Sequence, residues 1–314
     1  TRSFPRQTFR KGCTQSSWMN THQLPRGSNM VSPFVRRQRL ATVLRELREE
    51  RGMMADELAK RIHYSRTKIS RLENAYGRPD VADVIQILDA LEVPDDKWSQ
   101  IVRLASSAAT KGWWDSYGDA MGARQRLYVD IESGAATIRE YNQSAMPGVL
   151  QTPDFIRALI GLTKAEGPLD FSPKKMTDAR LRRVKELLRP GGPTYDVVVD
   201  EVVIRRLTVQ PETMRDQLLH IVKMLDTEPQ LTLRVLPLRA KLVGTLLPRS
   251  TFTLYTFPDV EDPPMAVVDN ITTDLVYTEP PEVERYTRRY ECLSDAALSP
   301  DDSKLLLIEA AQES

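Results

Sequence analysis

Residues 52–74 leave the chain little freedom in how it folds. They read Gly-Met-Met-Ala-Asp-Glu-Leu-Ala-Lys-Arg-Ile-His-Tyr-Ser-Arg-Thr-Lys-Ile-Ser-Arg-Leu-Glu-Asn, two short helices joined by a tight turn. The first spans about Ala55 to Ile62 and turns Leu58, Ala59 and Ile62 inward. Ala59 is small enough to let two helices cross closely. His63 and Tyr64 make the turn. Ser65 opens the second helix, where its hydroxyl can accept from a backbone N–H two or three residues on. That helix runs to about Asn74, with Ile69 and Leu72 facing a core and Ser65, Arg66, Thr67, Lys68, Ser70 and Arg71 on its polar side. A basic, hydroxyl-bearing helix held from behind has the form that enters a DNA major groove, so double-stranded DNA is the expected partner.

The flanking residues build the support. From Val35 to Arg51, Leu40, Val43, Leu44 and Leu47 recur on one helical face, and Gly52 supplies the stop. Gly77 and Pro79 punctuate the next turn, and Asp80 is expected in the first turn of a fourth helix, where a carboxylate suits the dipole. That helix carries Val84, Ile85, Leu88 and Leu91. Pro94 and Asp95 open a fifth, with Trp98, Ile101, Val102 and Ala105 inward. Residues 31–107 are therefore expected to form an all-α unit of five helices around one small core.

Charge divides the chain. Residues 31–78 hold 12 Lys/Arg against 6 Asp/Glu, residues 79–107 hold 2 against 6, and the net charge of the whole is only +1. A basic block beside an acidic remainder fits a DNA-binding head on a non-binding body. Residues 1–30 hold five Arg/Lys, no acid and no apolar periodicity; they read as a disordered basic tail or an upstream extension, with Met30 an alternative start and a DNA-following arm a further option. No run of 18 apolar residues is present, which excludes a helical membrane span. Cys13 and Cys292 stand far apart without a CxxC pair, and the three histidines are isolated, so neither a disulfide framework nor a metal site is expected, nor any cofactor; a reducing cytoplasm fits.

Leu47-Arg48-Glu49-Glu50-Arg51-Gly52, Glu57-Leu58-Ala59 and Ser65–Asn74 together resemble the Cro/repressor-type (Xre family) helix-turn-helix over nearly all of residues 35–107. The resemblance implies that Arg48 pairs with Glu73 to orient the arginine near a phosphate, with Asn74 beside them as DNA-backbone support. Four positions depart from the pattern. Met54 stands for the usual Ser/Thr cap, Ala55 for a Gln that touches the backbone, His63 for Gly in the turn, and Tyr64 for a smaller apolar residue. A weaker second helix and fewer phosphate contacts are the expected consequences.

Residues 108–314 read differently. Ser106–Thr110 is a small-residue junction, and Trp113-Trp114 suits core packing there better than a ligand pocket. A helical run is expected up to Tyr141, a turn at Pro147-Gly148, and helices at about 153–163, 173–189, 211–225, 281–293 and 301–313. Strands are expected at 195–200, 231–236, 251–257, 265–268 and 275–277, giving an α+β unit with a mainly antiparallel sheet. Glu140-Tyr141, Pro147–Thr152, Val199-Asp200-Glu201, Arg205-Arg206, Gln217-Leu218, Val235-Leu236-Pro237, Tyr277-Thr278-Glu279 and Ala297–Ser303 resemble a module found behind such heads in actinomycete regulators; Arg180, Arg182 and Arg183 reproduce part of an Arg-rich helix common there. That resemblance implies an antitoxin-like transcriptional regulator, often encoded beside a small partner protein.

No Gly-rich phosphate loop and no GxSxG occurs, so no catalytic residue is assigned and an enzyme is not expected. The leading expectation is a cytoplasmic homodimeric transcription regulator whose body dimerises and receives a signal. An antitoxin that neutralises a small protein and regulates its own operon is the alternative, a metabolite sensor or an enzyme a more distant one. Which body residues bind a partner is unknown from the sequence.

Overall fold

A computed structural model of the chain describes residues 31–167, 171–242, 247–270 and 272–314. The basic segment 1–30, with Cys13, lies outside them. The N-terminal region is helical: α1 (Pro33–Glu50), α2 (Ala55–Arg61), α3 (Arg66–Glu73), α4 (Val81–Ala90) and α5 (Asp95–Ala109). Local chemistry sets the ends. Ser32 accepts from the Val35 N–H ahead of Pro33, which needs no N–H of its own at the first helical position. Gly52 takes φ +60° after α1. Asp80 is the N-cap of α4, accepting from Ala82 N–H, one step earlier than the first-turn place expected for it. The inward residues Leu40, Leu44, Leu47, Leu58, Ile69 and Leu88 form one apolar core, joined by Ile87 and Leu104.

The region beyond α5 opens with a 3₁₀ segment, Trp113–Met121, and α6 (Ala123–Ser133). Then follow β1 (Thr137–Asn142), α7 (Pro153–Glu166), α8 (Pro173–Leu187), β2 (Thr194–Asp200), α9 (Glu201–Arg205), α10 (Pro211–Thr227) and β3 (Leu231–Leu236). The last elements are β4 (Phe252–Thr256), β5 (Met265–Val268), β6 (Leu275–Tyr277), α11 (Pro280–Ala296) and α12 (Pro300–Glu313). One sheet has the order β3-β2-β1-β4-β5-β6. It is mixed, not mainly antiparallel: β1, β2 and β3 run parallel, while β1–β4, β4–β5 and β5–β6 are antiparallel. One missed strand accounts for part of the difference. The helix expected to reach Tyr141 stops at Ser133, and residues 137–142 are a strand, Thr-Ile-Arg-Glu-Tyr-Asn, in the middle of the sheet. With β1 in place, α7–α8 becomes the crossover to β2; α9–α10 is the crossover from β2 to β3, a parallel pair although its strands and long helix were expected.

The sheet separates two apolar layers. Ile138, Val197, Leu233, Tyr255 and Val267 point to one face, against Phe155 of α7, Leu218 of α10 and Leu307 of α12. Tyr141, Val198, Phe252 and Ala266 point to the other, against Val283 and Leu293 of α11. Polar groups lock the crossovers. Gln217, fully buried, accepts from Thr152 N–H at 2.7 Å and donates to Leu150 O at 2.6 Å. Ser303 accepts from Val235 N–H at 2.9 Å, and Glu201 from Leu238 N–H at 2.9 Å. Several motif residues of the body are thus connectors of strands and helices. Trp114 is buried with Met121, Val129 and Ala179, and Trp113 meets it edge-on at 6.0 Å, so the tryptophan pair is core packing.

Charge is also buried beneath the first layer. Arg183 makes a two-bonded pair with Glu132 at 2.7 and 2.6 Å, and Glu140 accepts from the Tyr195 hydroxyl and the Asn142 amide. Burial raises the phenols of Tyr128, Tyr141, Tyr195, Tyr255 and Tyr290 first of all, and carboxylates near each add to the effect. Because folding raises these pKa values, the stability they contribute is complete below about pH 10, the unfolded value, and is lost as pH rises towards the folded ones. An ultraviolet titration should therefore leave these five of the ten tyrosines silent until the chain unfolds in alkali. Smooth ionisation of all ten near pH 10 in a folded chain would refute this.

Candidate nucleic-acid interface

The α2–α3 unit is built from its turn outward. Ala59, 3% exposed, lies against α3, and its carbonyl accepts from Tyr64 N–H at 2.8 Å. His63 adopts φ +57°, a conformation that disfavours side chains with a Cβ, so the turn holds a strained residue where Gly would rest easily. Ser65 accepts from Lys68 N–H at 3.2 Å, as its capping position demands. At α2, Glu57 accepts from Met54 N–H at 2.8 Å, which supplies half of a reciprocal cap although residue 54 has no hydroxyl.

Ile69 is fully buried and Leu72 packs on the same core, so α3 is fixed from behind. Ser65, Arg66, Thr67, Ser70, Arg71 and Asn74 are exposed. Arg66 reaches Asp56 at 3.4 Å, but both side chains are mostly in solvent, and such pairs contribute little. Lys68 behaves otherwise: its ammonium lies 2.6 Å from Asp83, which also accepts from the Tyr64 hydroxyl at 2.6 Å. Asn74 caps the end of α3, its side chain donating to Ser70 O at 2.6 Å.

Arg48 and Glu73 meet as the resemblance implied. Nε and Nη2 of Arg48 lie 2.7 and 2.9 Å from the two carboxylate oxygens, and Nη1 donates to Met53 O at 2.8 Å. Both residues are buried, and Arg45 donates to the Glu73 carbonyl. The bonds from Glu73 outweigh burial and raise the guanidinium pKa.

Part of the basic block faces elsewhere. Arg36 lies 2.9 Å from Asp259 and 3.2 Å from Asp262, and Arg39 contacts Asp259, Glu261 and Asp262, all in the β4–β5 loop. Arg37 pairs with Asp130 of α6 at 3.1 Å. Asp130 also accepts from Phe34 N–H at 2.8 Å and Ser32 Oγ at 3.1 Å. At Gly134 the backbone of Ser32 comes so near that a Cβ would stand 2.3 Å from its nitrogen. Val35 is buried in the layer formed by the sheet, while Leu40, Leu44 and Leu47 belong to the N-terminal core. Sequence spacing could not reveal these partners, which lie about a hundred to more than two hundred positions from α1. Nor did it reveal Asp83, although the unusual Tyr64 was a signal that the turn had a further contact to make. Among the described residues no group of three His, Cys, Asp or Glu could hold a metal ion, and no helix is long and apolar enough to cross a membrane.

Residues 39–99 match the profile of a helix-turn-helix domain. Residues 125–309, more than half of the chain, match that of a domain of unknown function, DUF5753. No curated protein matches the chain.

Proposed function

We propose, for a chain that belongs to the DUF5753 family and carries a helix-turn-helix domain ahead of that module, that it is a sequence-specific, DNA-binding transcription regulator. The observation that carries this reading is the exposed, basic and hydroxyl-rich front of α3, backed by buried Ile69 and by the Arg48–Glu73 pair. Arg66 and Arg71 are the base readers, since a guanidinium can bond two acceptors on one guanine edge. Ser65, Thr67 and Ser70 supply short hydroxyl contacts, and Arg48, Glu73 and Asn74 hold the helix ends in place. The test is selection of binding duplexes from a random pool by the full chain, followed by titration of the recovered sequence against a scrambled one. No enrichment of any sequence would sink the reading.

The region from residue 108 onward joins two copies and receives the signal. One small head reads too few base pairs for useful specificity, whereas two heads spaced by about 34 Å read a two-fold repeat. Support for signal reception comes from α1, whose first turns are fastened to Asp130 and to the Asp259–Asp262 loop rather than left in solvent. Light scattering of the full chain at micromolar concentration should give about twice the 35.7 kDa chain mass. A monomer there, with the selected duplex still bound, would contradict the dimer.

A further inference from the structure

Three elements converge on one carboxylate oxygen. Tyr64 comes from the turn before α3, Lys68 from the first turn of α3, and Asp83 from the first turn of α4. The Lys68 ammonium and the Tyr64 hydroxyl both lie 2.6 Å from the same Asp83 oxygen, and the ammonium also stands 3.8 Å from the centre of the Tyr64 ring. Asp83 is held firmly: its side chain is 13% exposed, and the start of α4 favours a carboxylate. Lys68, 41% exposed, is therefore engaged on two sides, by charge and by a ring face. Arg66, two positions earlier in α3 and so on a different side of the helix, is 74% exposed and pairs with the exposed Asp56.

A structural tether would be the simplest use of this cluster, but an ion pair with one partner so open to water adds little to stability. Its greater effect is on the field at the front of α3. Non-specific attraction to a duplex comes from cations that neutralise phosphates, and it carries no sequence information. Holding Lys68 against Asp83 removes one such cation and leaves a fixed carboxylate beside the groove-facing helix. Arg66 and Arg71 are left to discriminate bases.

We infer that Asp83, aided by Tyr64, is a specificity-determining residue of this interface, because it withholds Lys68 from the phosphates of any duplex and so lowers binding to wrong sequences. The inference rests on the DNA-binding reading above. It gives the Tyr64 hydroxyl a role beyond the packing of its ring against the N-terminal core.

The test compares full-length wild type with Asp83→Asn and with the double variant that adds Lys68→Ala, on the selected duplex and on a scrambled duplex of equal length. Asp83→Asn should bind the scrambled duplex more tightly, by about eightfold per head at ~0.1 M salt, with a log–log salt slope steeper by about 0.9, as one added phosphate contact requires. Discrimination between the two duplexes should fall. In the Asp83→Asn background Lys68→Ala should take back the gain, affinity and slope returning to about the wild-type values because the site is again net neutral. Equal scrambled affinity and slope for folded Asp83→Asn and wild type would overturn the inference, as would a gain that survives Lys68→Ala. Should Asp83→Asn melt early, Asp83→Ser takes its place: the same gain and steeper slope are expected, and their absence in that folded variant overturns the inference. Wild type that binds neither duplex would overturn the DNA-binding reading and this inference together; wild type that discriminates while Asp83→Asn matches it overturns only the latter.

Discussion

Glu73→Ala is expected to destabilise the α1–α5 region by about 3–5 kcal/mol, the usual result when one partner of a buried ion pair is removed. Glu73 sits at the end of α3, where the helix dipole disfavours a carboxylate, so its burial depends on Arg48. Without it, the Arg48 guanidinium keeps its bond to Met53 O and a long contact of 3.4 Å to the exposed Glu49 carboxylate but loses both strong bonds while staying largely buried. Total stabilities run from about 5 to 15 kcal/mol, so such a loss is a large share of what holds the helices together. Urea unfolding followed by helical circular dichroism is the measurement, with Glu73→Gln as the variant that keeps shape while losing charge. A loss below about 1 kcal/mol for Glu73→Ala would show that the pair is not an internal support.

Replacing Arg66 and Arg71 together by alanine is expected to weaken binding to the selected duplex by about 2–6 kcal/mol, taking roughly 1–3 kcal/mol for each arginine that reads a base edge. Both side chains project from a face whose opposite side is fixed by Ile69, so truncation should leave the fold alone. The loss should be larger on the selected duplex than on a scrambled one, because base contacts rather than phosphate contacts are removed. Anisotropy titrations on both duplexes measure this directly. A uniform loss on both would reassign the two arginines to phosphates, and no loss on either would mean that α3 does not face DNA.

The N-terminal helices were legible because their determinants are local. Ser65, Asp80 and Gly52 cap or stop helices through bonds and torsions within a few residues, and the 3.6-residue period marks Leu40, Leu44 and Leu47. β1 was not legible for the opposite reason. Arg139 and Glu140 break any apolar alternation, and Glu140 is tolerated beneath the sheet only because Tyr195, 55 positions away, and Asn142 bond its carboxylate. Burial raises the Glu140 pKa, and those bonds only partly offset it. The parallel β1–β2 pair was lost with that strand, whereas the parallel β2–β3 pair joins strands and a helix that were expected, their relative direction being set by the crossover rather than by local sequence. At the candidate interface the residue types were readable, whereas the engagement of Lys68 depended on Asp83 in another helix. The three arginines at the start of α1 carried charge that sequence arithmetic assigned to DNA but that the folded chain sets against its own carboxylates.

Because α1 is packed into two cores at once, it works mechanically as a lever. Its 18 residues span about 27 Å. Val35 and the arginines fasten one end to the sheet and the β4–β5 loop, while Leu44, Leu47 and Arg48 fasten the other behind α3. A helix so clamped passes rotation along its length instead of absorbing it. A tilt of about 10° at the fastened start would carry the far end some 5 Å, more than the ~3.4 Å separating base pairs along a strand. Anything that shifts the Asp259–Asp262 loop by a few ångströms could therefore throw α3 out of step with the groove without touching either α3 or the duplex.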